Sequence, residues 1–186
     1  EEYILECTNK FTTNIKNYNY SSTCNGGYVD FAGELAQVTG IPLESTFPYL
    51  GKNYTGSTFP TTYNICAANE TISYGGNPNL TTFAGSRNSS NDKMKQLIAN
   101  GPVGALIYAD TGFMAYKSGI YSGCPNFATS VSKINHAVII IGYDSNGNYI
   151  IKNSWGTSWG DNGFGIVSKD ADCGLSAWSY YYTSNA

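Results

Sequence analysis

At 186 residues, with 41% hydrophobic and 12% charged residues, the chain suits one or two small domains around a real core. The net charge is −3, nothing basic is clustered, and Arg87 is the only arginine, which argues against a nucleic-acid binder. No apolar run approaches ~18 residues, so no membrane-spanning helix is expected.

The chain opens on Glu1-Glu2-Tyr3-Ile4-Leu5-Glu6-Cys7, with no Met, basic start or leader-like segment. It reads as starting inside an element, and a processed or incomplete chain is expected. Residues 8–23 are polar and irregular. Gly26-Gly27 opens a helical stretch from Tyr28 to Val38, whose Phe31, Leu35 and Val38 share a face, with Gly40 suited to its end. Residues 41–90 read as loop-rich, with Pro42, Pro48, Pro60 and Pro78. A short helix follows over Asn91–Ala99, with Asp92 in its first turn and Gly101 past its end.

Beyond it the pattern changes to strands: Val103–Tyr108, Ala137–Tyr143, Tyr149–Asn153 and Gly163–Ser168 are rich in β-branched or aromatic residues. The Asn146-Gly147 pair predicts a hairpin between the second and third of them. Helix and loop in the first half with antiparallel strands in the second predict an α+β chain. Its division falls near 83–90, giving a helical, loop-rich part over 1–85 and a β part over 86–186.

Five cysteines stand at Cys7, Cys24, Cys66, Cys124 and Cys173. None forms a CxxC pair and a single histidine completes no zinc finger. Their wide spread favours disulfides and an oxidising compartment, and an odd count leaves at least one without an internal partner. Sequons at Asn19, Asn53, Asn69, Asn79 and Asn88 are glycosylation candidates and fit a secreted or vesicular protein. A chain so rich in Asn, Ser and Thr also makes sequons by chance.

The only histidine lies in Asn135-His136-Ala137-Val138, and downstream comes Ile151-Lys152-Asn153-Ser154-Trp155-Gly156. An asparagine that orients an imidazole is half of a Cys-His-Asn site. Read alone, His136 is equally a satisfied core histidine. In chain order, the motifs are Cys24-Asn25-Gly26-Gly27-Tyr28, Phe47-Pro48-Tyr49, Gly101-Pro102-Val103, Tyr116-Lys117-Ser118-Gly119-Ile120-Tyr121, the His136 and Asn153 segments, Trp159-Gly160 and Cys173-Gly174. Together they resemble the papain family of cysteine peptidases.

That resemblance implies a two-lobed fold, a helical lobe and an antiparallel β-barrel lobe, with an extended peptide between them. It implies His136 as base and later acid, Asn153 as the group holding its ring, and Trp155 as a cover over their bond. It implies substrate contacts at Gly26, Gly27, Tyr28, Leu106, Ile134, Asn135, Ala137 and Trp178. The pocket for the substrate's second residue would prefer a hydrophobic or aromatic side chain, unless Trp178 shrinks it.

The family nucleophile stands in C-G-[SA]-C-[WY], about 130–150 residues before its histidine and asparagine. Cys7 matches that spacing but sits in Leu5-Glu6-Cys7-Thr8, which resembles a later family segment whose cysteine is structural. By resemblance Cys7 pairs with Cys66 and Cys124 with Cys173. Cys24 would then pair with a cysteine beside the nucleophile, in a segment outside this chain; the plainer alternative is a buried free thiol. The expectation is a papain-like endopeptidase of lysosome, vacuole or secretion, acting on peptides through a thioester, with no metal or organic cofactor implied. On this reading the chain lacks the nucleophilic cysteine and the oxyanion glutamine, and is inactive alone. A non-catalytic papain-fold protein with a binding or structural role is the alternative.

Overall fold

The computed structural model describes residues 3, 4, 7, 32, 33, 35, 36, 41–45, 48, 49, 80–125 and 130–184. The chain divides into two compact units, residues 1–83 with 184–186, and residues 84–183.

In the first unit, Ala32, Gly33, Leu35 and Ala36 are helical, as are Tyr3, Ile4 and Cys7. Tyr3, Cys7 and Leu35 are buried. Phe31, Val38 and Gly40 lie outside the described residues.

The elements described beyond these are β1 (Leu80–Arg87), α1 (Asn91–Ala99), β2 (Val103–Ile107), α2 (Thr111–Met114), β3 (Ile120–Tyr121), β4 (His136–Tyr143), β5 (Tyr149–Lys152), β6 (Phe164–Val167) and β7 (Trp178–Ser184). The strands make one seven-stranded sheet in the order β1-β7-β2-β4-β5-β6-β3.

Helix α1 starts where Ser90 leaves the extended region and its side chain accepts the Lys93 N–H, satisfying a donor that the first turn cannot pair internally. The helix buries Met94, Leu97 and Ile98. Strand β2 alternates cleanly: Val103, Ala105 and Ile107 are buried, while Gly104 and Leu106 face the other way. Register carries this division across the sheet, because Val103 opposes Ile140 and Ala105 opposes Val138. Ile140 in turn opposes Ile151, and Tyr149 opposes Val167. Burying each valine or isoleucine of this set stabilises by about 1.5–3 kcal/mol.

Three strands went beyond the sequence reading. β1 falls in the stretch read as loop, and β3 and β7 had no strand assigned. One pair departs from the antiparallel pattern: β3 runs parallel to β6 through Ile120–Ile166 and Tyr121–Val167. A two-residue strand carries no alternation to detect, and a parallel partner is set by where the chain returns.

The hairpin between β4 and β5 forms at Asp144–Asn148. Gly147 takes φ 85°, and the Asp144 carboxylate accepts from the Asn146 and Asn148 amides and from Asn148 Nδ2. These donors hold the Asp144 carboxyl below its ordinary range.

Gly160 has φ 58°, and a Cβ there would lie 2.2 Å from the Phe164 carbonyl oxygen. Neither the left-handed backbone nor the contact leaves room for a side chain. Gly160→Ala is expected to destabilise the sheet unit by about 1–2 kcal/mol for the conformation and about 1–3 kcal/mol more for overpacking. A denaturant midpoint equal to wild type contradicts this.

Asp172 and Cys173 also have positive φ, 56° and 53°, in the turn entering β7. Asp172 is buried and accepts from the Ser176 amide and hydroxyl. Desolvation outweighs those bonds and raises its pKa. A carboxyl whose folded pKa lies above its unfolded value adds stability below the unfolded pKa and loses it as pH rises through the folded one. Asp172→Asn removes this titration and keeps a residue that tolerates left-handed backbone. The melting temperature of the variant minus that of wild type should therefore grow as pH rises from the acid range to neutrality. A flat difference would show that Asp172 does not titrate in the fold.

Candidate active site

His136 begins β4 opposite Ile107, on the side of the strand that carries Val138 and Ile140 into the core. The chain leaves β5 at Lys152, and Asn153 follows at once, anchored by its amide to the Gly163 carbonyl at 2.9 Å. The strand pair and the turn at Asp144–Asn148 thus bring together two residues 17 apart in sequence. His136 Nε2 lies 2.8 Å from Asn153 Oδ1.

The direction of that bond follows from a third residue. The Ser154 backbone N–H donates to the same side-chain atom of Asn153 at 2.8 Å. A backbone N–H can only donate, so the atom it meets is the amide oxygen. Nε2 must then carry the hydrogen that it gives to Asn153, and in neutral His136 the lone pair stands on Nδ1. Among the described residues Nδ1 has no hydrogen-bond partner, so the basic nitrogen is the free one.

Asn153 is 8% exposed, so its bond to His136 is held away from water. Its Nδ2 is buried without a hydrogen-bond partner among the described residues. The His136 ring stacks on Trp155, with centroids 4.4 Å apart and planes at 26°. Stacking fixes the tilt of the imidazole while Asn153 fixes its rotation. Excluding solvent from this contact strengthens it by lowering the local dielectric.

Trp155 itself packs edge-on against Phe113 at 5.8 Å and Trp159 at 5.9 Å. Trp159 donates Nε1–H to the Phe113 carbonyl at 2.9 Å. Ser154, Phe113 and Trp159 had no assigned site role. Trp159 was visible as a motif residue, but the parts of Phe113 and of the Ser154 amide have no sequence signal.

Asn135 is tied to Ala109: its Oδ1 accepts the Ala109 N–H at 2.8 Å and its Nδ2 donates to the Ala109 carbonyl at 3.1 Å. These bonds pin the chain just before His136. Leu106 and Ala137 oppose each other on the sheet face away from the core. Ile134 packs over Gly174, in the turn before β7. Trp178 starts β7 half-buried. Gly26, Gly27 and Tyr28 lie outside the described residues, as do Asn19, Asn53, Asn69 and Asn79; Asn88 is exposed, at φ 49°.

Cys124 and Cys173 form a disulfide with Cα atoms 5.3 Å apart. Cys7 is fully buried and disulfide-bonded, which removes it as a thiolate. Cys24 and Cys66 lie outside the described residues. No group of three or more potential metal ligands occurs among the described residues.

An imidazole whose Nε2 is held by an asparagine oxygen under an indole can take up and return a proton at Nδ1. The chain belongs to the papain family of cysteine proteases, whose model matches residues 1–183. It is 32% identical over 185 residues to fruit bromelain of Ananas comosus, covering 94% of this chain and 44% of that protein. It is 32% identical over 173 residues to papaya proteinase 4 of Carica papaya, covering 87% and 44%. Among solved structures, bromelain from Ananas comosus with the E64 inhibitor superposes with a TM-score of 0.71 at 27% identity, covering 98% of this chain and 76% of that one. The chain spans less than half the length of these two curated relatives.

Proposed function

We propose that this chain supplies the base and orienting amide of a papain-like cysteine endopeptidase, with the nucleophilic cysteine and oxyanion glutamine outside residues 1–186. The observation that carries the reading is the 2.8 Å bond between His136 Nε2 and Asn153 Oδ1 beneath Trp155. It leaves Nδ1 free to exchange a proton with a thiol. In the reaction, thiolate sulfur attacks the peptide carbonyl carbon while His136 holds the thiol proton. His136 returns that proton to the leaving amine, leaving a thioester. Water then attacks the thioester carbonyl carbon and gives one proton to His136; the C–S bond breaks, the acid leaves, and the thiolate remains beside protonated His136, ready for the next cycle. Substrates are peptides, with Leu106, Ile134, Ala137 and Trp178 as apolar wall for the second residue on the amino side of the cleaved bond.

Cys7 and the Cys124–Cys173 bridge support placing the nucleophile elsewhere, and disulfides support an oxidising setting such as a lysosome, vacuole or the cell exterior. The segment with the nucleophile would join at Cys24. Intact mass, non-reduced and then reduced, tests this arrangement. A released peptide containing C-G-S-C-W and linked through Cys24 is expected. A mass of residues 1–186 alone with Cys24 free would end the enzyme reading and favour a binding role.

A further inference from the structure

The only arginine of the chain faces the candidate substrate wall. Ser179 Oγ donates to the Ser86 carbonyl, and the Asn88 and Ser89 amides donate to the Ala177 and Ser176 carbonyls. That antiparallel register sets Arg87 opposite Trp178. Gly104 opposes Tyr180 and Ala105 opposes Ser179, so the next step sets Trp178 beside Leu106. Leu106 opposes Ala137, the neighbour of His136. Facing residues of paired strands project to the same side. Arg87, Trp178, Leu106 and Ala137 therefore form one row across β1, β7, β2 and β4, on the face opposite buried Ser179, Ala105 and Val138.

The Arg87 guanidinium lies over the Trp178 ring, 5.9 Å from its centroid. Arg87 is exposed, and among the described residues no carboxylate pairs with it. Adjacent strands are about 4.8 Å apart, so Leu106 and Arg87 stand about 10 Å apart at the backbone. The arginine side chain, leaning over the indole, spans part of that gap. A glutamate lying on Leu106 would lay its methylenes on the apolar row and turn its carboxylate toward the guanidinium.

We infer that Arg87 is a specificity-determining residue that makes this site favour glutamate over glutamine and lysine at the second residue before the cleaved bond. The inference rests on the peptidase reading. The apolar wall still sets a preference for leucine; Arg87 orders the polar side chains beneath it.

The test uses the complete protein and four peptides differing only at that residue: Leu, Glu, Gln and Lys. Glu should exceed Gln in kcat/KM by roughly two- to fivefold at low salt, the size that an exposed charge pair supports. Lys should fall below Gln. The Glu/Gln ratio should shrink as salt rises to about 1 M. R87A should bring it to about one while leaving Leu turnover in place, and R87K should keep most of it because the charge survives. Equal Glu and Gln rates in wild type, or a ratio that R87A does not move, overturns the inference while Leu turnover upholds the peptidase reading. Failure to cleave any of the four peptides overturns both.

Discussion

In the proposed mechanism, replacing His136 with alanine lowers kcat of the complete protein by about 10²–10⁴-fold, the range that one positioned proton-transfer group contributes. The reason is geometric. Asn153 Oδ1 and the Ser154 amide commit Nε2 to donating, so Nδ1 is the nitrogen that can take a proton, and residues 1–186 hold no second histidine to replace it. On the proposed reading KM should move little, because the apolar wall would hold the peptide and the imidazole would meet only the reacting atoms. Folding should survive, since His136 is half-exposed and Asn153 Oδ1 keeps the Ser154 donor when the ring is gone. Steady-state kinetics beside a thermal melt separates the two effects. Wild-type turnover in His136→Ala would remove His136 from the chemistry.

The largest effect on stability is expected at Trp159. It is 5% exposed and packs on Phe113 at 5.0 Å and Tyr116 at 5.3 Å, besides its contact with Trp155. Truncating such a residue to alanine costs about 3–5 kcal/mol. A domain has only about 5–15 kcal/mol in all, so the loss is a large share. The Phe113 carbonyl also loses the indole N–H donor. Trp159→Phe keeps the ring contacts and drops only that bond, so it should cost much less. The damage should reach the site, because Trp155 leans on Trp159 and His136 leans on Trp155. Denaturant unfolding followed by far-ultraviolet circular dichroism measures the loss. A Trp159→Ala midpoint within experimental error of wild type would mean that the aromatic cluster does not hold the unit together.

Helix α1 was legible because each signal for it is local: Asp92 in the first turn and Gly101 beyond the end. Strands β2, β4, β5 and β6 were legible because their segments are rich in β-branched or aromatic residues, which suit a pleated, half-buried surface. Strand β1 was not, because its Thr, Gly and Ser residues resemble loop, and only pairing with β7 makes it a strand. The extra residue at Ile141, where register shifts between Ile140 and Gly142, is likewise set by the partner strand.

At the site, the residue types and their chemistry were determined by the sequence alone: one histidine, an asparagine followed by serine and tryptophan, and cysteines in no nucleophile-like setting. Side-chain identity limits what a group can donate, accept or ionise, and that survives any fold. Only the tertiary structure decided which nitrogen of His136 is free, because the answer depends on a backbone N–H three bonds from Asn153 Cα and on a 2.8 Å approach across a hairpin. It alone decided that Arg87 stands in line with Trp178, Leu106 and Ala137. Residues 87, 178, 106 and 137 have no order along the chain that implies a row. Strand pairing creates it, and pairing is a property of the whole sheet rather than of any segment within it.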